Sequence, residues 1–360
     1  MGRAFSPLDE ALELLPGDLS PRLAEGLVRL GARLSFQEAA AQLAFFWRAQ
    51  VSGETARRQT EAAGGALLAV EAAEVARLER ELPEPPRGPA VQLVSVDGAT
   101  VPLLHKEWAE VRTLAIGTVT VGTTPEGERV ARATDLSYAS RLTDAADFTR
   151  VARLEVHRRG AQTAGTVAAG NDGSPWTQGV VDTYRRDAVR ILDFPHALEH
   201  LTRAAQASYG AGTIEAQTWW RQQAHALKHE GPAPVLAAVR ALPVARATDP
   251  AAGAAQAETL GYLEARLDEL RYPDFLARGL PIGDGAVESA NKLVIEARLK
   301  GSGMHWARSN VNPLVVLRAA WCSGRWAEAW PAITARLRQQ ERDRRRARRQ
   351  RRHPPPTPSA

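Results

Sequence analysis

Residues 91–121 read VQLVSVDGATVPLLHKEWAEVRTLAIGTVTV, and this stretch indicates the fold class. It holds apolar runs rich in β-branched residues, which is typical of β-strands. The runs are VQLVSVDG (91–98), ATVPLLH (99–105) and VRTLAIGTVTV (111–121). Because only short segments separate them, the runs are predicted to form an antiparallel meander.

The chain after this meander alternates between helix and strand patterns. A helix is predicted over 144–160, strands over 166–173 and 188–194, and a further helix opened by Pro195. The succession of antiparallel strands and then strands mixed with helices predicts an α/β fold with a mixed sheet. This order resembles that of the ribonuclease-H-like fold, in which the first and the fourth strand each carry a catalytic aspartate.

The composition limits the class of protein. The chain has 360 residues, of which 44% are apolar, so two or three domains with a sizeable core are possible. The single cysteine, Cys322, excludes an internal disulfide and a thiolate zinc cage within one chain. No apolar run reaches the roughly 18 residues of a membrane span, and the N-terminus lacks the order of a signal peptide.

Changes in composition predict how the chain is organised. The proline cluster PEPPRGP is the clearest boundary signal. The predicted segments are an N-terminal helical region (1–82), a Pro-rich linker (83–89), the first part of the α/β core (90–200), an all-helical insertion (201–280), the rest of the core (281–330) and an Arg-rich tail (331–360).

The N-terminal region has the spacing of a helix-turn-helix. Ser35 and Glu38 form a capping box before one helix, and Ser52 can cap a second, GETARRQTEAAG (53–64). The second helix would present polar side chains to a DNA groove. These are Thr55, Arg57, Arg58 and Gln59. The same pattern fits an ordinary helical hairpin with a solvated face.

The positive charge is concentrated at the C-terminus. The net charge of the chain is +5, but Arg336 to His353 alone hold ten arginines against Glu341 and Asp343, a balance of +8. Such a run is either a solubilising, disordered tail or a non-specific contact to nucleic acid. We predict that the basic tail is disordered.

Three acidic residues lie where different elements begin or end. Asp97 closes the first apolar run, Asp172 closes TVAAGNDG, and Glu288 begins a helix-like segment. Clustered carboxylates repel by about 4 kcal/mol per pair at about 4 Å and a dielectric near 20, so such a group favours divalent cations. Alternatively, both Asp-Gly pairs mark turns and Glu288 stabilises a helix N-terminus.

The residues that follow Glu288 suit a nucleic-acid backbone. Lys292, Arg298 and Lys300 can hold phosphates near an acidic metal site. Trp306, in a glycine-bounded turn, can either stack on an unpaired base or anchor the core.

The sequence Asp193-Phe-Pro-His196 also has two interpretations. The pair can steady Asp172 beside a metal, or Asp193 can cap a helix while His196 packs beneath the sheet. The segment from His196 to His200 also matches H-x-x-E-H, a zinc peptidase motif that often occurs by chance.

Several blocks resemble the DDE transposases of bacterial insertion sequences, the ISKra-like group, whose RNase-H-like domain is similar to that of the Mutator and hAT groups. The matching blocks extend from residue 6 to about residue 330 and cover most of the chain. They are SPLDEAL (6–12), VSVDGA (94–99), NDGSPW (171–176), ILDFPHALEHL (191–201), GLPIGDGAVE (279–288) and ARLKGSGMHW (297–306).

The resemblance implies which residues form the site. It implies that Asp97, Asp172 and Glu288 hold two Mg²⁺ or Mn²⁺ ions, and that Asp193 and His196 form an accessory element. Asp193 stays open as an alternative to Asp172 for the second catalytic carboxylate. The block 171–176 differs from its relatives, which usually have Gly and Ala where this chain has Asn171 and Ser174.

The resemblance also implies the activity. A DDE transposase cleaves DNA at transposon ends and transfers the strands into target DNA, usually as a homo-oligomer that holds two ends. We therefore expect DNA as the partner, no membrane, and a cytoplasmic, nucleoid-associated location. The alternatives are an inactive DNA-binding protein descended from a transposase, and an RNase-H-like nuclease without strand transfer.

Overall fold

The computed structural model describes residues 19–125, 127, 129–243, 250–283 and 285–352. Two of the sequence features lie outside these residues: the matching block 6–12 and the terminal PPPTPSA (354–360). The same holds for Asp284 within the block 279–288.

Within the described residues, five strands form one mixed sheet in the order β3-β2-β1-β4-β5. The strands are β1 (Val91–Pro102), β2 (Trp108–Thr123), β3 (Arg129–Arg141), β4 (Thr166–Asn171) and β5 (Val189–Leu192). The first three pair antiparallel, whereas β4 lies parallel to β1 and β5 parallel to β4. The prediction of an α/β fold with a mixed sheet is confirmed.

Two of the three predicted meander strands are in fact one. The run 91–98 and the first four residues of the run 99–105 form the single strand β1, because Asp97 and Gly98 pair with residues of β2 instead of turning. The turn interpretation of this Asp-Gly pair is therefore wrong. Strand β3 was not predicted, since the first half of this edge strand is largely exposed and carries polar residues at positions that a buried strand would fill with apolar ones.

Helices surround the sheet and account for most of the described chain. They are α1 (Pro21–Gly31), α2 (Phe36–Trp47), α3 (Gly53–Glu81), α4 (Ala145–Arg158), α5 (Pro175–Tyr184), α6 (Phe194–Tyr209), α7 (Ile214–His229), α8 (Pro232–Arg240), α9 (Pro250–Glu264), α10 (Tyr272–Ala277), α11 (Gly285–Ala290), α12 (Ala297–Leu299), α13 (Arg308–Cys322) and α14 (Trp326–Arg352). A π-helical segment, Asn291–Glu296, joins α11 to α12.

The two faces of the sheet bury different helices because side chains alternate along a strand. Val94 and Val96 of β1 pack with α4 and α5 in one core cluster. Ala99 and Val101, which have the opposite parity, pack with α11, the π-helical segment and α13. The helices of the segment 201–280 form a third cluster with Leu93 and with strands β4 and β5.

The N-terminal helices share a core with the C-terminal ones. Val28 of α1 and Leu67 of α3 pack with Leu317 of α13 and Trp326 of α14. The side chains of Ser35 and Ser52 accept hydrogen bonds from backbone N–H groups of α2 and α3, so both predicted caps are confirmed.

The second helix of the predicted helix-turn-helix is much longer than the sequence suggested. Helix α3 continues through Gly64 and Gly65 to Glu81, so the prediction of a helix end near residue 64 is wrong. Gly64 allows close packing: a Cβ built there would lie 2.0 Å from the carbonyl oxygen of Pro313 in α13. The glycine serves the contact between two helices and does not end one.

The Pro-rich segment 83–89 is held against the body of the protein. The hydroxyl of Thr163 donates to the carbonyl of Pro86 at 2.6 Å and accepts a hydrogen bond from the N–H of Gly88 at 2.9 Å. These bonds fix the entry into β1.

The prediction of a disordered basic tail is wrong as far as Arg352, because helix α14 includes this segment. Ile333 and Trp326 anchor the start of α14 in the core. A helix that is already nucleated extends at low cost through arginines, which are good helix formers.

None of the helices in the described residues is both long enough and apolar enough to cross a membrane.

The contact between α3 and α13 gives a stability test with a neighbouring control. We expect Gly64→Ala to destabilise the protein by roughly 1–3 kcal/mol, because the new methyl group overlaps the Pro313 backbone. Gly65→Ala has open space around the new methyl group and should be neutral or stabilising by up to about 1 kcal/mol. Chemical unfolding measures both, and equal effects would contradict this packing.

Candidate active site

Asp97 lies on the central strand of the sheet. Strand β1 is hydrogen-bonded to β2 on one side and to β4 on the other. Asp97 has the same parity as Ala99 and Val101, which face α11 and the π-helical segment. The strand therefore directs the half-buried Asp97 toward the helix that carries Glu288.

A side-chain hydrogen bond joins the two strands that carry the aspartates. Val96 and Asn171 are partners in the parallel register of β1 and β4. The Oδ1 atom of the buried Asn171 accepts a hydrogen bond from the N–H of Val96 at 2.7 Å. Asp97 is the next residue of β1 and Asp172 is the first residue after β4, so this bond fixes their relative position. The resemblance flagged Asn171 only as a departure from the usual glycine, but here it has a structural role.

Asp172 occupies the turn between β4 and α5. Its Oδ1 atom accepts hydrogen bonds from the N–H of Ser174 at 2.9 Å and from the hydroxyl of Thr177 at 3.1 Å. Gly173 follows with φ at +73°, a value that L side chains rarely adopt. The turn interpretation of this Asp-Gly pair is thus correct, and the turn presents Asp172 at the end of β4.

The helical segment 201–280 holds this turn from outside the sheet. The hydroxyl of Tyr262 in α9 donates to the carbonyl of Asp172 at 2.7 Å. The guanidinium of Arg266, just after α9, donates to the carbonyl of Gly173 at 3.0 Å and stacks on the Tyr262 ring at 3.9 Å. These two residues are not assigned a function by the sequence, because only the tertiary contact brings them to Asp172.

The other face of the Tyr262 ring is covered by His200 of α6, with ring centroids 3.7 Å apart and planes 13° from parallel. Burial, and then the positive charge of Arg203, lower the pKa of His200 to about 4. Burial raises the pKa of Tyr262 to about 12. At neutral pH the stack therefore consists of a neutral imidazole, a protonated phenol and a guanidinium, and the phenol keeps its donor proton.

The helical segment that carries Glu288 contacts Asp97 through Asn291. Glu288 lies in the first turn of α11, with a side chain that is 51% exposed and 3.7 Å from the ammonium of Lys292. Asn291, three residues later, begins the π-helical segment and is buried. Its Nδ2 atom donates to Oδ2 of Asp97 at 2.7 Å. Insertions of this kind in a helix often occur at functional sites.

The structure brings Asp172 and Glu288 each within electrostatic reach of Asp97. Burial raises the pKa of Asp97, a hydrogen bond from the Gly98 backbone lowers it, and the negative charges of Asp172, Glu110 and Glu288 raise it further. Glu110 lies on β2 and was not predicted. Its position depends on the pairing of β1 with β2, which the sequence does not reveal.

The oxygen donors of this site suit a hard cation. Carboxylate and amide oxygens are the ligands that Mg²⁺ and Mn²⁺ prefer. Among the described residues, Asn291 Oδ1 is a buried oxygen without a hydrogen-bond partner. In the same part of the chain, however, no group of three or more His, Cys, Asp or Glu side chains is placed to hold a metal ion. The oxygen donors thus fit the implied ions chemically, while the described acids are not already arranged as a complete set of metal ligands.

Asp193 and His196, the predicted accessory pair, lie one strand further from Asp97. Asp193 follows β5, is only 3% exposed, and accepts a hydrogen bond from the N–H of His196 at 2.9 Å. This is the helix cap that the sequence offered as one interpretation. The His196 ring lies edge-on to His200 and Tyr262, at the margin of the stack.

Two of the predicted DNA contacts are inside the protein, so that prediction is wrong for them. Arg298 is 2% exposed, donates to the carbonyl of Gly31, and lies over the rings of Phe36 and Trp306. Trp306 is 8% exposed and donates to the carbonyl of Leu299. Burial lowers the pKa of Arg298 to about 10, which also indicates a residue that is removed from solvent.

The two lysines after Glu288 lie at the surface, and each is paired with an acid. Lys300 contacts Glu296 at 2.7 Å, and the more exposed Lys292 lies 3.7 Å from Glu288. Lys292 therefore lies next to the candidate site, and its role as a phosphate contact stays a prediction.

The predicted recognition residues of α3 are only partly available. Arg57 contacts Glu54 at 2.7 Å and Glu61 at 2.6 Å, so its charge is already neutralised. The hydroxyl of Thr55 is hydrogen-bonded to that of Ser52. Arg58 is exposed, and Gln59 is half-buried. Their contact with DNA stays a prediction.

Comparison with known proteins gives no assignment. No protein-family model and no curated protein matches the chain. A function has to be argued from the residues and contacts of the site.

The raised pKa of Asp97 predicts how stability depends on pH. A carboxyl whose pKa is higher in the folded protein than in the unfolded chain contributes stability below its ordinary pKa of about 3.9. That stability is lost as pH rises through the pKa of the folded protein. Without divalent cations, the Asp97→Asn protein should therefore become more stable relative to the natural protein as pH rises above the ordinary aspartate pKa, from about 4 toward about 7. Thermal unfolding across this range measures the difference.

The matched control for this measurement is Asp268→Asn. The Asp268 side chain is 95% exposed and its ion pair with Arg271, at 3.8 Å, lies at the surface, so its replacement should change stability by less than about 1 kcal/mol. A parallel response of both variants would contradict the burial and crowding of Asp97.

The contact between Tyr262 and the Asp172 turn predicts a local effect. Tyr262→Phe keeps the ring stack but removes a hydrogen bond worth about 1 kcal/mol, so amide exchange in residues 172–177 should accelerate about 5-fold. The control is Tyr184→Phe, which removes a similar bond to the carbonyl of Thr149 elsewhere. If neither variant changes exchange in the turn, Tyr262 does not hold it.

Proposed function

We propose that this chain is a DDE-type DNA transposase, which cleaves DNA at transposon ends and joins the new ends to target DNA. One observation carries the proposal: Asp97 lies within β1, next to the point where Asp172 follows the parallel strand β4, and Asn291, in the helical segment after Glu288, donates a hydrogen bond to Asp97. This arrangement supports a site that combines acids far apart in the sequence.

The order of elements supports an RNase-H-like core. The sheet contains three antiparallel strands followed by two parallel ones, with helices between and after the latter. Asp97 is on the first strand and Asp172 follows the fourth, as expected for that fold. The helical segment 201–280 separates the second aspartate from the glutamate.

The geometry favours Asp172 over Asp193 as the second catalytic carboxylate. Asp172 follows the strand that pairs directly with β1, and its charge contributes to the raised pKa of Asp97. Asp193 follows β5, which pairs with β4, and it is used as a helix cap. We therefore assign a supporting role to Asp193 and His196.

The chain's own residues would fix the reacting geometry. Asp97, Asp172 and Glu288 would hold the divalent ions, and Asn291 orients one oxygen of Asp97. When bound, two Mg²⁺ or Mn²⁺ ions supply an activated hydroxyl nucleophile and neutralise charge on the leaving oxygen. Tyr262 and Arg266 keep the turn of Asp172 in place. Positioning of this kind is a large part of catalysis in phosphoryl transfer.

A labelled duplex with the inverted repeats that flank the coding region, incubated with Mg²⁺, tests the proposal. We expect cleavage followed by strand joining. Asp97→Asn, Asp172→Asn and Glu288→Gln should each lower cleavage at least about 100-fold, as for loss of a group that acts in the transition state. Asp268→Asn, at an exposed site, should cleave normally.

The outcomes separate the alternatives. Cleavage without joining would indicate a nuclease, and binding without cleavage would indicate a DNA-binding protein descended from a transposase. Full activity of any of the three acid variants would remove that residue from the site. As a readout without catalysis, Mg²⁺ should raise the unfolding temperature of the natural protein but not of Asp97→Asn.

A further inference from the structure

The last turns of helix α14 extend beyond the body of the protein as an arm. We use this name for Arg342–Arg352. Ile333 and Thr334 are buried, and Glu341 is the last half-buried residue. From Arg342 to Arg351, every residue whose side chain the structure describes is exposed. At 1.5 Å per residue, the arm is about 16 Å long.

The arm is basic around most of its circumference. It contains eight arginines and Asp343, a balance of +7. With 3.6 residues per turn, Asp343, Ala347 and Gln350 share one narrow face, and the arginines occupy the remaining surface of the helix. A helix that meets a flat partner uses one face only. This distribution suits a partner that surrounds the helix with negative charge.

Repulsion between arginines destabilises the arm when only water surrounds it. Arginines recur four residues apart at 342 and 346, 344 and 348, 345 and 349, and 348 and 352. Each like-charged pair at this spacing destabilises a helix by about 0.2–0.5 kcal/mol. The ion pair of Arg345 with Glu341, at 2.9 Å, offsets part of this repulsion. A polyanion would offset the rest.

The chemistry of the arm excludes the other common partners of basic helices. A helix that lies on a membrane needs an apolar face, and Ala347 is the only apolar residue from 342 to 352. A protein groove that takes a helix likewise reads apolar anchors. What remains is a phosphate backbone on both sides of the helix.

We propose that the arm binds within the major groove of B-form DNA and contacts the phosphates of both strands. The groove is about 12 Å wide and admits an α-helix of about 10–12 Å diameter, whereas the major groove of A-form RNA is deep and narrow. The arm adds a DNA contact that does not depend on the acidic site. It deepens the proposed function by naming a second surface for the same partner.

Binding measured across salt concentrations tests this proposal. The full chain carrying Asp97→Asn, which prevents cleavage, is compared with the same chain ended after Glu341 on a random-sequence duplex. Neutralising about seven phosphates gives a slope of about −6 in log affinity against log salt, and removing the arm should remove most of that slope.

Substitutions on the two faces provide matched variants with the helix intact. Arg344→Gln with Arg348→Gln should reduce the slope by about 2, whereas Ala347→Gln with Gln350→Ala should leave it unchanged. A major-groove dye such as methyl green should compete with the arm, and a minor-groove binder should not. An unchanged slope for the shortened chain, equal losses on duplex RNA, or tighter binding to anionic vesicles than to duplex would each overturn the proposal.

Because these measurements use a chain without cleavage activity, they can fail while the proposed function stands. Conversely, normal arm binding in a protein that never cuts DNA would leave this inference intact and remove the transposase proposal.

Discussion

The parallel pairing of β1 with β4 is the constraint on which the candidate site depends. Val96 and Asn171 face each other in the register, and the Asn171 side chain adds a bond to the Val96 backbone. Since both strands run in the same direction, Asp97 within β1 and Asp172 just after β4 lie side by side. A shift of one residue would turn either aspartate to the opposite face of the sheet, which is filled by the apolar cluster under α4 and α5.

The rest of the molecule fixes what this pairing brings together. Asn291 holds Asp97 from the helix side, and Tyr262 holds the Asp172 turn from the helical segment 201–280. The helix of Glu288 is itself secured to the N-terminal helices, because the buried Arg318 donates to the carbonyls of Val294 and Ala32. A different part of the chain therefore supports each of the three predicted acids. The support is a hydrogen bond to a carboxylate oxygen for Asp97, and hydrogen bonds to backbone carbonyls for the Asp172 turn and the helical segment after Glu288.

These contacts require polar and charged side chains to be buried, which costs desolvation free energy, and they account for several buried polar groups. Arg298 and Arg318 have lowered pKa values because burial disfavours their charge, yet each is compensated by backbone carbonyls or aromatic faces. His200 stays neutral for the same reason and packs as a flat ring. These buried contacts between distant segments hold together the elements that surround Asp97.

The sequence by itself determined the local features: the caps at Ser35 and Ser52, helix α4, strands β4 and β5, and the turn at Asp172. These depend on neighbours a few residues away. Only the tertiary structure decided that β1 runs through an Asp-Gly pair, that Gly64 lies inside one helix, and that Arg298 and Trp306 are buried. Glu110 and Tyr262 joined the site in the same way. Each of these outcomes depends on pairing or packing between distant segments, which overrides local propensity and leaves no pattern in the sequence.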